Sequence, residues 1–306
     1  MSVSITTTYA GEFAGKYISA ALLSADTIEG GGITVKPNVK YKEVMKTLST
    51  NALVKDAACD FADQSTVTLA ERVLQPDEFQ VNLELCKKDF HNDFEAIQMG
   101  YSAFDSLPPS FADFLIGHIA AKVAQKTEEN IWQGAAATAG EFDGFTALLA
   151  ADATVIDVVG TTVTAANVIE ELGKVVDAIP TSVYGKEDLY IYVSQSIARA
   201  YVRALGGFGA NGLGANGVNN AGTTWFNGGD LAFDGVKLFV CSGMADNDMV
   251  AAQKSNLFFG TGLLADHNEV KLIDMADLDG SQNVRVVMRF TAGVQHGIGA
   301  DIVYYT

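Results

Sequence analysis

No apolar run in this sequence is long enough to cross a membrane as a helix. Each hydrophobic stretch is broken by Asp, Glu, Lys or Gly well short of the roughly 18 residues a span needs. The N-terminus also lacks the basic, then apolar, then small-residue order of a secretory signal, so a soluble, cytosolic chain is expected. Cysteine is scarce: Cys59, Cys86 and Cys241 are odd in number and far apart. With no CxxC pair and no adjacent His they do not suggest a metal site, and buried free thiols are expected. Basic residues are few as well. Lys and Arg total 20 against 37 Asp and Glu, and a net charge of −17 excludes a protein that grips nucleic acid through a basic surface. Catalytic signatures are missing too: there is no Walker loop, no GxSxG elbow and no HExxH. The four histidines, His91, His118, His267 and His296, stand in unlike contexts. No constellation commits the chain to a reaction, and no cofactor or metal is expected.

The chain does have ample core-forming material. With 306 residues, 48% of them hydrophobic, it can fill one large domain or two small ones. Residues 1–60 are mixed in pattern, with a Gly30-Gly31-Gly32 run, and read as an arm with little structure of its own. From Thr66 a period of two sets in. Val67, Leu69 and Val73 alternate with other residues, and Phe79, Val81, Leu83 and Leu85 alternate with Gln80, Asn82 and Glu84. Gln75-Pro76-Asp77-Glu78 lies between, and Pro76 suits a tight turn, so the pattern predicts one long β-hairpin. A lone hairpin is marginal in water, so its apolar face needs a partner surface.

Helical spacing follows. Phe111, Phe114, Leu115, Ile119 and Val123 mark a long helix after Pro108-Pro109, with Ser110 and Asp113 as a capping box and Gly134 as its stop. His118 near its apolar stripe reads as a packed or surface histidine, and Glu128 and Glu129 as a solvated helix face. Val168, Ile169, Leu172, Val175, Val176 and Ile179 mark a second helix closed by Pro180. A strand at Leu189 to Val193 and a helix capped by Ser194 complete a helix–strand–helix unit. Residues 206–229, rich in Gly and Asn, read as a long loop, and strands return at Val236 to Cys241, Asn256 to Phe259, Val284 to Phe290 and Asp301 to Tyr305.

Two motif matches fail in context. Gly207, Gly209 and Gly212 fit a dinucleotide fingerprint, as do Gly212, Gly214 and Gly217, but they follow a helix and lead into more Gly and Asn. Asp274, Asp277 and Asp279 before Gly280 depart from calcium-loop spacing, and a polar turn between strands is the better reading.

The order of these elements resembles the tailed-phage major capsid protein family, whose subunit is often called the Hong Kong 97 coat fold. The resemblance runs from the arm through Glu71-Arg72-Val73-Leu74-Gln75-Pro76, the helix ending Glu128-Glu129 to Gly134, and Gly235 to Val240, to the closing strands. It implies an α+β subunit: an N-terminal arm (1–60), an E-loop hairpin (61–100), a P-domain with a spine helix (101–163), an A-domain (164–245) and return strands (246–306). It further implies no enzyme activity, and self-assembly into hexamers and pentamers of an icosahedral virion head that encloses DNA. Intersubunit contacts would come from Val67, Leu69, Arg72, Val73, Pro76, Phe79, Val81 and Leu83, and the spine from Phe111, Phe114, Leu115, Ile119 and Val123. Some family members crosslink through an E-loop lysine, but residues 65–85 contain none. No long helical segment precedes the arm, so a separate scaffolding protein is expected beside a portal, with assembly in the host cytoplasm. An encapsulin shell shares the fold, and a nucleotide-dependent soluble enzyme is the alternative from another class.

Overall fold

The computed structural model describes residues 26–50, 66–90, 109–205, 231–262 and 271–306, together with positions 54, 56 and 59. In chain order its elements begin with α1 (Asp26–Glu29), β1 (Thr34–Lys36), β2 (Glu43–Thr50), β3 (Val67–Leu74) and β4 (Asp77–Cys86). The middle of the chain forms α2 (Pro109–Gln133), α3 (Phe145–Ala151), β5 (Ile156–Val158), α4 (Val168–Asp177), β6 (Leu189–Ser194) and α5 (Gln195–Leu205). Then come β7 (Ala232–Phe233), β8 (Val236–Cys241), β9 (Met249–Gln253), β10 (Leu257–Gly260), β11 (Lys271–Asp274), α6 (Ala276–Asp279), β12 (Asn283–His296) and β13 (Val303–Tyr305).

A six-stranded sheet in the order β5-β13-β9-β6-β8-β7 is buried on both faces. Along β6, Leu189, Ile191 and Val193 point to one side, where they pack with Leu172, Val175 and Val176 of α4 and Ile197 and Tyr201 of α5. Tyr192 points to the other side, into a second core with Ile131 and Trp132 of α2, Phe145 and Leu149 of α3, and Phe259 of β10. Trp132 sits 5.4 Å from the Phe145 ring and 5.3 Å from Tyr192. Ser194 caps α5 as expected, its Oγ accepting the Ile197 N–H at 3.4 Å.

The second sheet is built around β12, whose fourteen residues bridge two regions. Its far end pairs with β10, and its near end lies between β11 and β4. α2 starts at Pro109, just ahead of the expected cap, and ends at Gln133, where Gly134 stops it. Gly280, with φ of +71°, turns the chain out of α6 into β12. Asp274 and Asp279 cap backbone N–H groups of Ala276 and Ser281 there, so the acidic triplet is the polar turn that was expected.

Four expectations need correction. The two period-two runs are strands, but they do not pair with each other. β3 pairs with β2 in a separate two-stranded ribbon, and β4 runs antiparallel to β12, with Phe79 opposite Phe290 and Leu83 opposite Val286. Pro76 marks the point where the chain leaves the ribbon for the sheet: a Cβ on Gly293 of β12 would come within 2.9 Å of the Pro76 Cα. The arm region is also more structured than expected, since α1, β1 and β2 all lie within residues 26–50. Glu128 is no solvated residue but is fully buried, because α1 covers that part of α2. Finally, of the three thiols only Cys241 is buried; Cys59 is exposed and Cys86 is half-buried.

Candidate functional site

The β2–β3 ribbon presents one apolar face with nothing over it among the described residues. The register places Val44 opposite Val73, Lys46 opposite Glu71, Leu48 opposite Leu69 and Thr50 opposite Val67, all on the same side because side chains alternate along a strand. The five aliphatic residues of that face are between 42% and 68% exposed. Covering the part of each that is still exposed would gain roughly 0.6–2 kcal/mol. Two strands alone cannot bury them, so the face is shaped for a surface outside the ribbon.

The other ribbon face is fixed to the body at its base. Leu74 is fully buried and seats on Gly260, where an added Cβ would come within 2.9 Å of its side chain. Gln295 donates from Nε2 to the Val73 carbonyl at 3.2 Å, and Lys36 of β1 pairs with Glu43 of β2. Arg72 pairs with Asp152, the residue that closes α3. The same Asp152 carboxylate meets His296 Nε2 at 2.9 Å and accepts from Thr154 N at 3.0 Å and Thr154 Oγ1 at 2.8 Å. Burial opposes its ionisation, but hydrogen bonds from His296, Thr154 and Arg72 outweigh that and hold the carboxyl well below the usual carboxylate range. Gly299 leaves room for the group, since a Cβ there would come within 2.7 Å of Asp152 Oδ2.

A second buried polar cluster ties the start of the described chain to the long helix. Glu128 accepts from Thr27 N at 3.1 Å and from Thr27 Oγ1, whose oxygen in turn accepts from Trp132 Nε1 at 2.9 Å. Burial pushes the Glu128 carboxyl up, partly offset by the hydrogen bonds from Thr27. Gly243 lies so near that a Cβ would come within 2.2 Å of the Glu128 carbonyl.

The residues expected at an intersubunit surface therefore divide. Val67, Leu69 and Val73 share the open ribbon face, Arg72 belongs to the anchor beneath it, and Pro76 lies at the junction. Phe79, Val81 and Leu83 lie away from the ribbon: they are half-buried along β12, and the Phe79 ring packs 5.7 Å from Phe290 and 6.0 Å from Phe142. On α2, Ile119 is buried and Leu115 and Val123 are half-buried; the side chains of Phe111 and Phe114 lie outside the described residues. The glycine-rich motif matches at 207–217 also lie outside them. Sequence reading missed Val44 and Leu48, the partners of Val73 and Leu69, and it missed Asp152 and His296. The β2–β3 ribbon carries Lys46, outside the lysine-free stretch 65–85. Among the described residues there is no group of three or more His, Cys, Asp or Glu placed to hold a metal ion.

No protein-family model matches the sequence, and no curated protein does. Solved structures do. The capsid of Myoviridae Phage XM1 aligns over 96% of this chain and 96% of its own at a TM-score of 0.61 and 12% identity. The capsid of the native GTA particle aligns over 95% and 93% at 0.61 and 12%. Gordonia phage Cozz aligns over 95% and 89% at 0.61 and 12%. The chain has the phage capsid fold.

Proposed function

We propose that this protein is the major capsid subunit of a bacteriophage head, a structural protein that assembles with copies of itself into a closed icosahedral shell around DNA. The observation that carries the reading is the unpartnered apolar face of the β2–β3 ribbon on a phage capsid fold. A single chain leaves that face in water, whereas a ring of copies, each covering its neighbour's ribbon, buries it at every contact. Such head-to-tail contacts close when the rotation between copies closes.

In this reading the ribbon, residues 43–74, is the E-loop, shifted N-terminally from the 61–100 hairpin expected from sequence. α2 is the spine of the P-domain, with the β4–β12–β11 strands beside it. The six-stranded sheet with α4 and α5 forms the A-domain. The charge of −17 suits a wall that encloses DNA without adhering to it, since like charges on wall and phosphate repel. A separate scaffolding protein and a portal are the proposed partners, with assembly in the host cytoplasm.

Electron microscopy of the protein expressed alone and with its neighbouring genes tests the proposal. Closed shells of uniform diameter are the expected result. Monodisperse monomers or dimers under every assembly condition would overturn it.

A further inference from the structure

We infer that Arg72, Asp152 and His296 form a proton-operated latch that helps hold the base of the ribbon to the body and loosens it on acidification. The inference concerns the single subunit and goes beyond the shell reading, which stands or falls separately.

Three elements meet at one carboxylate: the ribbon strand β3 through Arg72, the end of α3 through Asp152, and the end of β12 through His296. His296 is 1% exposed, Asp152 13% and Arg72 28%, so the imidazole lies innermost and the guanidinium nearest to water. His296 Nδ1 is buried and has no hydrogen-bond partner among the described residues. That arrangement fits a neutral ring, in which Nε2–H donates to Asp152 and bare Nδ1 accepts nothing.

Protonation changes both nitrogens' situation. The new Nδ1–H is a buried donor with no acceptor, and the ring charge lies near the Arg72 guanidinium with one carboxylate between two cations. The charged groups acting on His296 are Asp152, which favours the charged ring, and Arg72, which opposes it. Burial is the largest influence, and the imidazole is held below its ordinary range. Of the two cations only Arg72 can reach water by a side-chain rotation. Its departure removes the one ion pair on β3 described at the base of the ribbon, leaving Leu74 on Gly260, the Gln295 bond to the Val73 carbonyl and the Lys36–Glu43 pair on β2 as the remaining holds. Because β2 and β3 are paired along their length, the ribbon moves as one piece on fewer holds, and the firmness of its base becomes dependent on pH.

The test is hydrogen exchange on the unassembled full-length chain at pH 7 and pH 5, corrected for the intrinsic pH dependence of exchange. The amides of Arg72 to Leu74 should exchange about tenfold faster at pH 5, while those of β6 keep their protection. His296→Gln, which retains a side-chain N–H donor but does not titrate, should abolish the acceleration. Arg72→Leu should exchange fast at both values. Ring resonances of histidine-labelled wild-type protein supply a readout that needs no variant: the His296 shift should follow the same pH midpoint as the exchange. No acceleration in the wild type, acceleration undiminished in His296→Gln, or a His296 ring that does not titrate with the exchange would each overturn the latch.

Discussion

Leu48 of β2 lies directly across the ribbon from Leu69 of β3, and the two are 64% and 68% exposed. A cross-strand leucine pair turned to water contributes little to a subunit's own fold. Replacing Leu48 by Glu and Leu69 by Lys, a pair of opposite charge across the strands, should therefore change subunit stability by no more than about 1 kcal/mol. The same change should prevent assembly, because charge at the centre of a covered face costs several times what the leucines contributed. Melting followed by circular dichroism checks the first part, and sedimentation of assembly reactions checks the second.

Leu74, at the end of the same strand, should behave in the opposite way. It is fully buried against Gly260, so Leu74→Ala should cost about 2–4 kcal/mol of subunit stability, measured by urea unfolding. Deleting residues 73–78 would remove this anchor with Pro76 and the start of β4, and should destabilise the subunit rather than shorten a free loop tip.

The contrast between these leucines shows what the sequence could reveal. Period-two patterning located β3 and β4 nearly residue by residue, since alternation reports a half-buried strand whatever its partner. It did not report the partner. Pro76 suits a hairpin turn equally well as a bend between two sheets, and only the register of β4 on β12, which sets Phe79 over Phe290, distinguishes them. β2 escaped notice because Met45, turned to the body, and Val44 and Leu48, turned outward, blur the alternation. β9 escaped because all five of its residues are buried, leaving no polar phase to read. The long helix was legible through its apolar spacing and Gly134, yet the burial of Glu128 was not. Its partner Thr27 lies a hundred residues away in sequence, and nothing beside Glu128 announces it.

That burial has a measurable consequence. Glu128→Ala leaves the Thr27 N–H and hydroxyl without their acceptor in a closed site, and should lower stability by about 2–4 kcal/mol in urea unfolding. Glu129, half-buried beside it, should tolerate Ala with a far smaller loss.

Asp248 gives a pH dependence of definite sign. Burial raises its pKa to about 6, from 3.8 for a free side chain, against the lowering hydrogen bond of Tyr304. The native state then holds more protons than the unfolded chain between those values, so this group's contribution to stability falls as pH rises from about 4 to 6. Asp248→Asn should remove that slope and raise stability at pH 7 by on the order of 1 kcal/mol, read from unfolding curves across pH.

The most direct measurement is hydroxyl-radical footprinting of assembled particles beside subunits dissociated from them, read at Leu48, Val67 and Leu69. The account predicts strong labelling in free subunits and labelling reduced severalfold in shells, with Leu278 of α6, exposed and off the ribbon, as an internal reference. Equal labelling of the three ribbon residues in shells and subunits would contradict it.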